Sequence, residues 1–511
     1  MIGNELLRAP GVYPVENPIG GAPLQPAGSA AAGFVGTAEW GPMGEAMFIS
    51  SWPAWVRMFG ADMTNGYLAM GAGDFFRLGG HRLYTTRTCH YTDITDPTTL
   101  TAVKAIADVD DGEGTPTTVF TVTAKYYGTF GNKIKVVVEN VDAVEHSFDL
   151  IVYVQNANGD WLGMERWRGV VVDDTDENYF IEDVINGKSS YIVVDVQDDT
   201  KDPDEDAWTL TGGDDGLDSI ADGDYIGDAA GRNGLYAFDP VTEGLSICHP
   251  GITASAVLVG GESYVYNSTV RRQIDLYLGD LPLGNTPQET LTFVGSNLQS
   301  NGYEAFYYPW VVEGTTEKPV APYMAGVYAK NDAMRGVWQA PAGTDFPLPV
   351  TELDYDVSFG DIQLLNPHGI NCIEHHQFEG TLPWGARTLD VHTHFRYINV
   401  RRFVNVIKKT LMDGALQFVF DLNAPETWAR VEDTAHRLLM YFHSIGAFAG
   451  KTPEQAFFAK CDATTNPPEL IDQGVLTCVI GICPPRPAEF VVFEVQLYNE
   501  GVLPIATTAA S

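Results

Sequence analysis

Charge is spread so unevenly along this 511-residue chain that its distribution limits the fold more than any single motif does. Residues 91 to 240 carry 32 acidic side chains against 9 basic ones, which places −23 of the formal −37 in less than a third of the length. Most of these carboxylates must stay in water, because every buried one needs a cation or several hydrogen bonds, so the block reads as one with a solvated exterior. Residues 396 to 460 differ, with 9 basic and 6 acidic residues. An acidic outer surface and a near-neutral or basic inner one fit this segregation. Length and a 45% apolar content leave room for several domains.

Patterning divides the chain further. Residues 1–30 are rich in Pro, Gly and Ala and read as an extended arm; Pro14 removes a ladder donor, so the segment around it suits an added or edge strand. In 31–90, a short buried strand around Phe34 and Val35 precedes a helix holding Trp55, Val56 and Phe59. A second helix with Phe75 and Phe76 and a strand over 82–87 follow. Apolar residues alternate over 119–123, 134–138, 148–154 and 191–194 between Gly, Asn and Asp turns, a β-rich module within 91–215. Residues 216–380 alternate strand-like segments (245–247, 304–310, 325–327) with helical ones (284–301), which is α/β layering.

In 381–497, Val400, Phe403, Ile407 and Leu411 recur at helical spacing up to Asp413-Gly414, and 416–420 reads as a buried strand. Pro425 opens a second helix carrying Trp428, Ala435, Leu438, Leu439 and Phe442. Thr452-Pro453 starts a short third one carrying Phe457 and Phe458. Strands are expected over 475–483 and 490–497, and 498–511 is a second arm. The fold class is mixed α/β and α+β in several domains.

Composition excludes some functions. A net charge of −37 argues against direct nucleic-acid binding and against an anionic membrane surface. No stretch of about 20 apolar residues could span a bilayer, and no leader pattern opens the chain, so the reading is a protein made and kept in a cytoplasm. Cys89, Cys248, Cys372, Cys461, Cys478 and Cys483 form no C-x-x-C pair and read as reduced, mostly buried thiols.

For hydrolysis, Ser-His-Asp chemistry needs a nucleophile in a Gly-flanked turn; neither Gly-x-Ser-x-Gly nor Gly-Thr-Ser occurs, and His249-Pro250-Gly251 and His368-Gly369 supply no nucleophile. His375-His376 and His392-x-His394 lack a third and fourth zinc ligand. The acidic runs around Asp173, Asp202 and Asp214 do not fit a twelve-position calcium loop. Gly71-Ala72-Gly73 and Gly212-Gly213 lack the lysine of a phosphate-cradling loop. No catalytic residue, metal or cofactor is expected.

Longer patterns carry more. Tyr397-x-Asn399-Val400-Arg401-Arg402, then Phe420-x-x-Asn423 before Pro425-x-x-Trp428, then Gly446-Ala447-Phe448-x-Gly450-x-Thr452-x-Glu454-x-Ala456-Phe457, then Arg486-Pro487-Ala488-Glu489-Phe490 resembles the C-terminal domain of contractile phage tail sheath proteins. Pro10-Gly11-Val12-Tyr13, Tyr307-Tyr308-Pro309-Trp310, Ala325-Gly326-Val327-Tyr328-Ala329, Pro341-Ala342-Gly343 and Trp384-Gly385-Ala386-Arg387-Thr388 extend the match.

The resemblance implies a core packed from the 31–90 and C-terminal segments, with the rest inserted and a middle domain of subtilisin-like fold without protease activity. It implies a helical homo-polymer of stacked rings around an inner tail tube protein, with baseplate and tail terminator proteins as further partners. Neither nucleic acid nor membrane insertion is involved, and the particle would be a virion tail assembled in the host cytoplasm. Strand exchange between subunits would use Gly11, Val12, Tyr13 and Val15 at one end and Val491, Val492, Phe493, Val495 and Leu497 at the other. Arg401, Arg402, Lys408, Lys409, Arg430 and Arg437 are candidates to face the tube; the alternative for a pair such as Arg401 and Arg402 is burial, bridging carboxylates inside the domain. A non-phage contractile injection system is the alternative within this class. An α/β hydrolase is the alternative outside it, and the missing nucleophile motif separates the two.

Overall fold

A computed structural model describes residues 26–61, 66–156, 158–176 and 179–489. Alternation of short apolar segments sets the two faces of its central sheet. Along Ala31–Gly36, Ala32 and Phe34 point to one side and Ala31 and Val35 to the other; along Glu304–Tyr308, Ala305 and Tyr307 oppose Phe306 and Tyr308. Strands apolar on both faces need cover on both.

Helices Trp52–Phe59, Leu68–Arg77 and Ala321–Met334 supply one layer through Trp55, Phe75, Tyr323 and Tyr328. Helices Ser255–Asn267, Pro287–Asn297 and Phe359–Leu365 supply the other through Leu258, Val265, Val294 and Leu365.

The sheet has eight strands in the order Gly380–Pro383, Ile370–His376, Glu304–Tyr308, Leu276–Asp280, Leu245–Cys248, Ala31–Gly36, Arg82–Arg87, Ala46–Ile49. Its six inner strands run parallel, and the outermost pair at each end is antiparallel. Ala31 pairs with both Leu245 and Arg82, so the N-terminal segment extends the sheet of the middle segment. Its link to the C-terminal region runs through Ile398, which joins the same apolar cluster.

The acidic block folds separately into two antiparallel sheets. Ala207–Thr209, Ile134–Asp142, Ser147–Gln155 and Trp161–Val171 form one, and Ile106–Asp110, Thr118–Ala124 and Ile192–Val196 the other. They enclose a core that includes stacked Phe120 and Phe148, with ring centroids 5.8 Å apart. Bridges Val103 to Asp214 and Ile106 to Thr211 hold the two connections side by side. Trp40 reaches from the N-terminal segment into this core, and Arg87 makes a buried ion pair with Asp215 at 2.9 Å.

The C-terminal helices Ile398–Ala415 and Pro425–Ser444 pack through Phe403, Val406, Ile407, Leu438, Leu439 and Phe442. Four local expectations are corrected. Residues 325–327 lie inside helix Ala321–Met334, which is buried at ten of its fourteen positions and so shows no polar face to betray its period. Residues 416–420 are no buried strand: Leu416–Phe418 is a 3-10 turn, with Leu416 and Phe420 exposed at 69% and 102%. The short third helix, Pro453–Ala456, stops before Phe457 and Phe458, which open a strand instead. The strand expected over 475–483 is confined to Val479–Ile482.

Candidate functional site

Strands Phe457–Lys460 and Val479–Ile482 form an antiparallel ribbon that gains no third strand among the described residues. Phe457 faces inward against Phe448, His436 and His443, while Phe458 and Val479 are exposed. Both outer edges therefore present backbone N–H and C=O groups able to pair with another strand. In the turn before helix Pro425–Ser444, Leu416, Val419, Phe420 and Leu422 are exposed apolar side chains.

Helix Ile398–Ala415 holds the chain at both ends of the described structure. Thr410 Oγ1 accepts from the Ala27 N–H at 2.9 Å, and Arg402 donates to the Ser29 carbonyl at 3.0 Å. Asn399 donates to the Pro485 carbonyl at 3.0 Å. Arg387, next to the start of this helix, donates through Nε to Glu489 Oε1 at 2.9 Å and through Nη1 to the Asn366 carbonyl at 2.9 Å. A groove of about 960 Å³ runs beside Glu489, walled by Trp338, Phe359, Ile362, Trp384, Arg387 and Pro487. Asn399, Arg402, Val406 and Thr410 follow spacings of three and four, which puts all four on one face of the helix. That spacing is visible in the sequence, yet nothing there says that the face grips the chain ends.

The residues expected to exchange strands, Gly11, Val12, Tyr13 and Val15 with Val491, Val492, Phe493, Val495 and Leu497, lie outside the described residues. The six basic candidates sit in two environments. Arg401 is buried, donates to the Gly302 carbonyl at 2.6 Å, and lies between Tyr303 and Phe395, 3.8 and 3.5 Å from their ring centres. Burial lowers its pKa.

Arg402 is buried in a two-point pair with Asp332, at 2.8 and 2.7 Å, and covers the Tyr328 ring. Lys408 donates to the Gln273 carbonyl at 3.1 Å, and its pKa is lowered by burial. Lys409 bonds Asp413 on its own helix. Arg430 and Arg437 are exposed, paired with Asp421 at 2.9 Å and Asp433 at 2.6 Å. The structure thus keeps Arg401 and Arg402 for joining the C-terminal helix to the rest of the chain and leaves Arg430 and Arg437 outward.

His249 is buried between the Tyr277 hydroxyl, 3.0 Å away, and the Tyr225 carbonyl, 3.2 Å away; burial brings its pKa down to about 4. His375 is exposed and His376 half-buried on one strand, where adjacent side chains point to opposite faces. His392 and His394 are exposed in a turn. Among the described residues no group of three or more His, Cys, Asp or Glu stands together as metal ligands, and no helix is long and apolar enough to cross a membrane.

No family model matches the chain. The tail sheath protein of Vibrio phage KVP40 is 27% identical over 179 residues, which cover 34% of this chain and 26% of that protein. The tail sheath protein of Burkholderia phage BcepMu is 25% identical over 269 residues, 49% of this chain and 53% of that one. The chain thus spans from about a quarter to about half the length of these relatives.

The helical sheath of the anti-feeding prophage in its contracted state matches in structure with a TM-score of 0.57 at 20% identity, over 95% of this chain and 98% of the other. The chain therefore has the sheath-protein fold along nearly its whole length, and its resemblance to phage tail sheath proteins holds in sequence as well.

Proposed function

We propose that this chain, a relative of phage tail sheath proteins with their fold, is the structural subunit of a contractile tail sheath. Copies assemble as stacked rings around an inner tube, and contraction drives that tube through the envelope of a target cell. The observation that carries the reading is the pairing of an open two-stranded ribbon with chain ends tied to helix Ile398–Ala415 at Ala27, Ser29 and Pro485 and to Arg387 at Glu489. A ribbon with two free edges can take one strand on each side from neighbouring copies, and ends held at their bases can be donated without loosening the donor.

In this reading the segment around Gly11 to Val15 and the segment Val491 to Leu497 are the donated strands. The proposed domain limits are an arm over 1–30, core segments over 31–90 and 381–497, the acidic module over 91–215, the α/β layer over 216–380, whose sheet takes in the strands of 31–90, and a second arm over 498–511. The acidic module faces outward, and Arg430 and Arg437 on helix Pro425–Ser444 face the tube. Baseplate and terminator proteins cap the polymer, which is built in the host cytoplasm and carried on the virion.

Electron microscopy of the purified chain tests this directly. Hollow cylinders are expected from the full-length protein and their loss on removal of residues 1–25 or 490–511. A full-length chain that stays monomeric under every assembly condition refutes the reading.

A further inference from the structure

The two-stranded ribbon ends in a pair of cysteines for which strand exchange has no use. Phe457 pairs with Ile482 and Lys460 with Val479, so the next rung of the same register sets Cys461 opposite Cys478. At the other end of the ribbon the Cys483 N–H donates to the Ala456 carbonyl at 2.8 Å. Counting by twos from that bond, the 461 and 478 rung falls between hydrogen-bonded rungs, where facing Cα atoms lie about 4.5 Å apart. A disulfide spans Cα separations of about 4.4–6.8 Å, so the two can join without backbone movement.

The surroundings fix both partners. The Cys461 N–H donates to Glu432 Oε2 at 2.8 Å, which ties that strand end to helix Pro425–Ser444. Asn466 is buried and bridges the loop between them: its side chain donates to the Thr477 carbonyl at 3.0 Å, accepts from the Thr477 N–H at 2.6 Å and donates to Cys461 Sγ at 3.6 Å. Cys461 is buried and Cys478 half-buried, so the outer thiol is the one a reagent meets first. Cys483 is exposed but lies an odd number of residues from Cys478 on the same strand, which turns it to the opposite face.

We propose that Cys461 and Cys478 form a reversible disulfide that staples the ribbon and closes loop 462–477 when the protein meets a small disulfide oxidant. The Cys478 thiolate attacks one sulfur of the reagent, giving a mixed disulfide and expelling one small thiolate. The Cys461 thiolate, its proton passed to solvent, then attacks Cys478 Sγ, forms the intrachain bond and expels the second small thiolate. The chain loses two electrons and two protons, and the reagent gains both. Burial raises both thiols, Cys478 to about 11, so thiolate is scarce at neutral pH and the pair stays reduced in a reducing compartment. The staple stands on the ribbon's own register and goes beyond the sheath reading; it holds whether or not the chain polymerises.

Full-length protein incubated with oxidised glutathione at pH 7 and pH 9, alkylated and digested, tests it by mass spectrometry. The expected product is one cross-linked peptide pair joining 461 to 478, about 2 Da below the sum of its thiol forms, made faster by roughly tenfold or more at pH 9. Cys478→Ser and Cys461→Ser should each abolish it, while Cys483→Ser leaves its yield unchanged within about twofold. Cys461 and Cys478 recovered as separate reduced or glutathionylated peptides at pH 9, or Cys478 joined to Cys483, overturns the proposal. The wild-type digest decides this even if a serine variant fails to fold.

Discussion

Replacing Asp332 by alanine gives a direct measure of how firmly helix Ile398–Ala415 is joined to the rest of the chain. Asp332 and Arg402 are both buried and meet at 2.8 and 2.7 Å. In Asp332→Ala the guanidinium keeps only the Ser29 carbonyl at 3.0 Å and the face of Tyr328, neither of which carries a compensating charge. Leaving one member of a buried pair alone costs about 3–5 kcal/mol.

The loss should fall on local opening of this helix, because Asp332 sits on helix Ala321–Met334 and Arg402 on Ile398–Ala415. At about 1.4 kcal/mol per tenfold change, amide protection across 398–415 drops by about two to three and a half orders of magnitude. Hydrogen exchange read by mass spectrometry on unassembled protein reports it peptide by peptide. The double variant Asp332→Leu with Arg402→Met removes both charges and should recover most of the protection, since a buried pair is worth little against apolar residues of similar size. A change below about threefold in Asp332→Ala refutes the joint, as does a double variant no better than the single ones.

Three further outcomes follow from the same contacts. Phe403 is fully buried against Trp338, Phe442 and Phe448, so Phe403→Ala should cost about 3–5 kcal/mol, read as a lowered urea midpoint for the C-terminal region. Burial raises Glu262 to about 8 and Glu304 to about 7, and Glu262 Oε1 has no hydrogen-bond partner. The unfolded chain ionises both near pH 4.5 while the folded one holds their protons, so stability falls as pH rises from about 5 to about 8; melting temperatures across that range should slope less in Glu262→Gln. Charge reversal of exposed Arg430 and Arg437 to Glu should leave the monomer's melting temperature within about 2 °C and weaken co-sedimentation with an acidic tube; unchanged co-sedimentation removes these two from the tube face.

Local periodicity exposed much of the fold. Alternation over 119–123, 134–138, 148–154 and 191–194 marked strands that run Thr118–Ala124, Ile134–Asp142, Ser147–Gln155 and Ile192–Val196. The three-to-four spacing of Val400, Phe403 and Ile407 marked the gripping helix. The failures have physical causes. Val327 and Tyr328 carry strand chemistry, but in a helix buried on nearly every side the apolar content of a run says nothing about its period. The run from Leu416 to Phe420 looked like core because the sequence cannot distinguish apolar residues covered by their own domain from those left exposed. Sheet order is non-local: strand Ala31–Gly36 lies between Leu245–Cys248 and Arg82–Arg87, a placement no pattern near residue 31 encodes. For Arg401 and Arg402 a tube face and a buried pairing inside the domain both stood open, because charge is visible in a sequence and burial partners are not.

The placement of the acidic module leads to a last prediction. In a lattice joined through chain ends, load enters at Ala27, Ser29, Pro485 and Glu489 and passes through helix Ile398–Ala415 to Asp332 and to the cluster that holds Ile398. None of these contacts touches residues 106–211. The module hangs from two adjacent connections, where the Val103 N–H donates to the Asp214 carbonyl at 2.9 Å and Asp214 donates back at 3.0 Å. Replacing 106–211 with a short Gly-Ser linker keeps that bridge and the Arg87 to Asp215 pair, uncovers Trp40, and takes Lys133 from Glu39, the Tyr127 carbonyl from Arg87 and Thr129 from Asp215, which water then replaces. Fully exposing one large side chain costs about 2–3 kcal/mol, which Trp40→Ser would largely offset. The shortened chain should therefore still form cylinders in the electron microscope, thinner by the missing outer layer and far less acidic. A shortened chain that folds, by its hydrogen-exchange protection across the central sheet, yet builds no cylinders would show that the acidic module carries lattice contacts and that the ends alone do not.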